Sequence, residues 1–101
     1  MTGFIGVLAP ALGLQAATET AGVGTMAGAS GGAAAVTCAV LPPSIDDAGV
    51  ALAAAMSARG AVTQAMMAQL MATRAMYAAT VEVNGLSYTA TDVVTQTTLA
   101  L

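Results

Sequence analysis

Past residue 44 the larger apolar side chains fall at Leu52, Met56, Val62, Met66, Leu70, Tyr77 and Val81. These steps are mostly three or four residues, the spacing of one helix face. Met67, Met71 and Met76 widen that stripe beyond a single seam. Between Ile45 and Val83 there is no proline, the only glycines are Gly49 and Gly60, and Ala, Met, Leu, Gln and Arg dominate. That composition favours a long helix. The pattern predicts a second helix over about 45–84, roughly 58 Å long over its proline-free stretch at 1.5 Å per residue. A compact domain of this size would be only about 30 Å across.

The start of that helix is punctuated by Leu41-Pro42-Pro43-Ser44-Ile45-Asp46-Asp47. Two prolines cannot continue a preceding helix, because they lack the amide donor and constrain the residue before them. Ser44, just after the turn residues Pro42 and Pro43, is expected to cap the new helix, with Asp47 three residues later at capping-box spacing in place of the favoured Glu. Asp46 and Asp47 sit where the positive end of the helix dipole favours carboxylates. Ahead of the turn, 11–40 is expected to form a first helix, entered through Pro10, a residue suited to a helix N-terminus. Gly24, Gly28 and Gly32 recur every four residues on one face of it and are expected to make a groove that a neighbouring helix approaches closely. The organisation is therefore all-α: helix, proline turn at 41–44, longer helix, an antiparallel two-helix hairpin.

Composition sharpens the picture. The chain has 101 residues, 57% of them hydrophobic, and 26 alanines, but only two cationic and five anionic side chains for a net charge of −3. A hairpin has one internal seam, and chains this short bury a small share of their surface. Each exposed Leu or Met forgoes about 1.5–3 kcal/mol of burial. Seven methionines are suited to an adaptable contact surface. A helical partner that completes a four-helix bundle is the expected solution. Leu12, Leu52, Met56, Met66, Leu70 and Tyr77 are the candidate residues facing it. The alternative is a membrane-inserting or self-associating Ala-rich hairpin. The charge-free stretches 1–18 and 20–45 are long enough for a span, yet the second holds five glycines and two prolines. Alanine also contributes little to insertion.

Several functions are disfavoured by missing chemistry. With two arginines and no lysine, the chain lacks the cation cluster needed against phosphate, so no nucleic-acid partner is expected. Without histidine, no imidazole activates Ser30, Ser44, Ser57, Ser87 or Cys38. The carboxylates are scattered apart from the capping pair, so no metal or cofactor is expected. The chain reads as a non-enzyme. Cys38 stands alone and is expected to pack as a small apolar residue. Met1–Leu14 is apolar but lacks the cationic start of a secretory leader.

After the second helix comes Asn84-Gly85-Leu86-Ser87-Tyr88-Thr89-Ala90-Thr91-Asp92. Tyr88 and Asp92 are four residues apart and share a face in any helical turn. With this element in place, the chain resembles the PE family of mycobacterial proteins, substrates of type VII secretion. Pro10 matches the first residue of the name-giving Pro-Glu pair, and Ala21-Gly22-Val23-Gly24-Thr25 matches a Gly-Ile-Gly-like stretch. Val40-Leu41-Pro42-Pro43 with Asp47 matches the proline turn, and Met76-Tyr77 falls where Met-Phe is common. Ser87-Tyr88-Thr89-Ala90-Thr91-Asp92 is similar to Ser-Tyr-Ala-Ala-Thr-Glu. Departures are Ala11 in place of the Glu, Ala48 where a second acid often follows, and a stretch between Met56 and Tyr88 about one residue short.

The resemblance implies a hairpin over 1–95 and a C-terminal secretion-signal segment and tail over 85–101. It also implies heterodimerisation with a PPE-family protein and export in folded form to the cell surface or medium, after synthesis in the cytoplasm. Tyr88 and Asp92 would then belong to the export motif read by the type VII machinery, with a cytosolic chaperone contacting the PPE partner rather than this chain.

Overall fold

A computed structural model describes residues 6–100. Among them the protein is all-helical: α1 spans Ala9–Thr37 and α2 spans Asp47–Leu99, with no strand. The expected two-helix hairpin is therefore the fold. Two compact units divide the helices: Gly22–Thr73, which holds the turn, and the segment ending at Ala21 together with that beginning at Arg74.

In the turn unit, α2 contributes Ala53, Ser57, Gly60, Gln64, Met67 and Met71, every one buried or half-buried. They alternate at steps of four and three, the spacing of a coiled-coil seam. Facing them, α1 places Ser30 against Gln64, whose Oε1 accepts the Ser30 hydroxyl at 2.6 Å. In the terminal unit the alternation on α2 is Arg74, Ala78, Val81 and Gly85, opposed by Leu12, Ala16 and Glu19 of α1. Glu19 Oε2 accepts from Arg74 Nε at 2.7 Å. The helix segments run antiparallel within each unit. Among the described residues the buried apolar ones are Ala16, Ala53, Ala78 and Val81, and no large side chain is fully buried. The buried positions of the seam are Ala, Gly, Ser and Val, while Leu12, Gln64, Met67, Met71 and Arg74 are half-buried.

Close approach is provided by glycines of α2. A β-carbon on Gly60 would collide with the Thr37 carbonyl oxygen and lie 2.6 Å from its carbon, where α1 ends. On Gly85 it would lie 3.3 Å from Leu12 Cβ. By contrast, a β-carbon on Gly24, Gly28 or Gly32 meets nothing within 4 Å. The expectation that this stripe receives a neighbouring helix is thus not met within the chain. The helix approaches through Gly60 and Gly85 instead, because the stripe lies off the seam.

Boundaries also differ from those expected. Helix α1 stops at Thr37 rather than 40, and the Val40 amide donates to Ser57 Oγ at 2.9 Å instead of to an α1 carbonyl. Asp46, not Ser44, caps α2. Its Oδ1 accepts the Gly49 amide at 2.8 Å, and its carbonyl accepts the first helical bond, from Val50. Ser44 instead donates its hydroxyl to Asp46 Oδ1 at 2.6 Å, and Asp47 is the first helical residue. An aspartate reaches the third helical amide as well as a serine does. Here the buried Gly49 lies so near Ser44 that a β-carbon on it would collide with the Ser44 hydroxyl.

Helix α2 continues to Leu99 rather than ending near 84, so the 85–101 segment is helical through Leu99. Gly85 does not terminate it, because that glycine is packed against α1 rather than turned into a left-handed cap. Beyond it, Thr89, Thr97 and Thr98 each donate their hydroxyl to the carbonyl four residues back. Those bonds hold threonine within a helix despite its low propensity.

Candidate interaction surface

The unsatisfied feature of this protein is its exposed apolar surface. In the turn unit Leu52, Met56, Met66 and Leu70 are all exposed, Met66 by 59%. At 100° per residue they fall within an arc of about 80° on α2, beside the seam rather than in it. In the terminal unit Tyr77 is likewise exposed, whereas Leu12 is half-buried against Gly85. Five of the six candidate partner-facing residues therefore present apolar surface to solvent, and the sixth is already engaged within the chain.

Val36 lies exposed in the turn unit, and Leu41 and Ile45 of the turn are almost fully so. The proline-containing turn, with Pro42 and Pro43 exposed, is held at Val40 by Ser57 and at its other end by the Ser44–Asp46–Gly49 cap. Those two hydrogen bonds at the carboxylate, first from Ser44 and then from the Gly49 amide, hold Asp46 below its ordinary value of 3.8. The same unit carries an open groove of about 480 Å³ between α1 and α2, bordered by Val36, Val40, Met56 and Met67. No sequence signal points to it, since its borders come from both helices.

Tyr88 and Asp92 are brought onto one helix. Both lie on α2 beyond Gly85, the last residue of that helix to be buried, and both are exposed. Tyr88 is the heptad successor of Val81, and Asp92 that of Gly85, so they continue the seam spacing past the point where α1 begins. Tyr88 also borders a shallow hollow with Asn84, Ser87 and Thr91. The pair thus continues the seam spacing on a stretch of α2 that is exposed.

Among the described residues, no helix is long and apolar enough to cross a membrane, and no group of three His, Cys, Asp or Glu side chains gathers. Cys38 is a half-buried thiol beside the Thr37 hydroxyl.

The described residues thus form a two-helix hairpin whose buried positions are small and whose larger apolar side chains are mostly exposed. The model of the PE family matches residues 7–95, and the chain belongs to that family. No curated protein and no solved structure matches the chain.

Proposed function

We propose that this protein is a PE-type subunit that pairs with a PPE-family protein, completes a four-helix bundle with it and is exported through a type VII secretion system. Its work is structural and addressing rather than catalytic. The observation that carries the proposal is the exposed row of Leu52, Met56, Met66 and Leu70 in the turn unit, with Tyr77 exposed in the terminal unit, on a family member with no large side chain fully buried among the described residues. These residues retain about half of their accessible surface. Covering each is therefore worth about half of the 1.5–3 kcal/mol for full burial, several kcal/mol for the row. That is comparable to the whole stability of a small domain.

Tyr88 and Asp92 serve as the export signal. They stand four residues apart on α2 and both are exposed, which supports access of a receptor to both. The chaperone of the secretion system contacts the PPE partner, and the pair is delivered to the cell surface or the medium.

Two experiments test this. Co-expression with a PPE-family protein is expected to yield a 1:1 complex with a cooperative thermal transition, while the chain alone melts without one. A sharp melt of the isolated chain would count against the pairing. Within the complex, Tyr88→Ala is expected to abolish export to the culture filtrate while leaving co-purification intact; normal export of that variant removes the role assigned to the motif.

A further inference from the structure

The groove of the turn unit carries a charge that nothing among the described residues answers. Arg59 borders it alongside Val36, Val40, Met56 and Met67. Among the described residues its guanidinium makes no ion pair or hydrogen bond, whereas the chain's other arginine, Arg74, binds Glu19. Arg59 is the one cation of Gly22–Thr73, and the carboxylates of that unit are Asp46 and Asp47. Asp46 is committed to the Ser44 hydroxyl and the Gly49 amide. Asp47 occupies the first position of α2, where the helix dipole favours it.

We infer that this groove seats a helix of the PPE-family partner, and that the helix presents an Asp or Glu carboxylate to Arg59. The inference rests on the heterodimer proposed above and adds the chemistry by which the partner is selected. A groove between two antiparallel helices takes the ridge of a third. Its apolar borders gain from being covered, but an occupant that covers them also displaces water from exposed Arg59 on the same border. An unpaired charge desolvated in that way opposes binding strongly, so an occupant that fits must supply an acceptor. Arginine is suited to this role because its planar fork binds both oxygens of a carboxylate and fixes the register of the helix that carries it. An acidic occupant also complements the single cation of a unit whose remaining groove surface is uncharged.

The test compares the full chain with Arg59→Met, measuring dissociation of the purified 1:1 complex with the PPE-family protein used for co-expression. Methionine matches arginine in helix propensity and fills the groove without charge, and circular dichroism checks that helicity is retained. The expected result is dissociation faster by about tenfold or more. One Asp or Glu→Met replacement in the partner is expected to weaken the wild-type complex similarly and to add little to Arg59→Met. Unchanged or slower dissociation of Arg59→Met would overturn the inference while leaving the heterodimer intact, because relief of desolvation alone would then prevail. A loss shared by no partner carboxylate would overturn it too. A homodimer of this chain weakened by Arg59→Met, beside a PPE complex that is not, would give the groove to a second copy and refute the assignment. Failure of the wild-type chain to form any PPE complex would sink the heterodimer and this inference together.

Discussion

Gly60→Ala places a methyl group where the last carbonyl of α1 already sits. Its β-carbon would collide with the Thr37 oxygen and stand 2.6 Å from the Thr37 carbon and 3.1 Å from the Cys38 nitrogen. Carbon atoms rest comfortably at about 3.5 Å or more, so the end of α1 must move by roughly 1 Å. The obstacle is backbone and cannot rotate away as a flexible side chain would. Overpacking of this kind costs typically about 1–3 kcal/mol, and the upper part of that range applies here. Alanine returns about 0.8–1.0 kcal/mol through helix propensity. The net is a loss of about 1–2 kcal/mol, a factor of roughly 5–30 in the folded ratio. Gly28→Ala is the matched control, because its β-carbon meets nothing within 4 Å. It should gain about 0.5–1 kcal/mol from propensity alone. Urea titration of the full chain by far-UV circular dichroism reads the two shifts, and their sign is informative even if the transition is broad. If Gly60→Ala raised the midpoint as Gly28→Ala does, the close approach of α1 to Gly60 would be refuted.

The remaining predictions concern the cap and the ion pair. Asp46 has a lowered pKa in the folded chain, so its contribution is present above the ordinary value of 3.8 and is lost as pH falls through the lowered value. The protection of the Gly49 amide, its exchange corrected for the intrinsic pH dependence, is expected to fall over that acid window; in Asp46→Asn, which caps without titrating there, this loss should vanish, and its persistence would discredit the cap. Glu19→Gln removes the acceptor charge facing Arg74. With the Arg74 side chain 36% exposed and Glu19 17%, screening reduces the loss to about 1 kcal/mol. A urea midpoint that does not move would show that the bridge contributes nothing.

Much of the fold was legible in the chain, and the misplacements share a cause. The proline pair, the acid-rich start and the glycine-poor run announced two helices and a turn. Asp46 was recognised as favourable in the first turn, but Ser44 carried the same local signal. Only the packing of Gly49 against Ser44 decides which oxygen reaches the amide. The expected end of α2 near 84 stands just ahead of Gly85, a residue type that also suits a helix stop. Its contact with Leu12, sixty or more residues away in sequence, makes it a spacer instead. The Tyr88/Asp92 spacing was visible from the start, whereas the groove around Arg59 was not, since its borders come from both helices.

By itself the sequence determined that this protein is helical, that it turns at Pro42-Pro43 and that it carries more apolar surface than one hairpin can bury. Those properties follow from local propensity and from composition, which act at every position regardless of what lies opposite. Only the tertiary structure decided which face closes. Large residues form the conspicuous stripe, but two helices approach most closely where side chains are small, so Ala53, Gly60, Ala78 and Gly85 became the seam. Leu52, Met56, Met66 and Leu70 were left outside it. The choice depends on pairwise distances between the helices, and no spacing along one chain contains those.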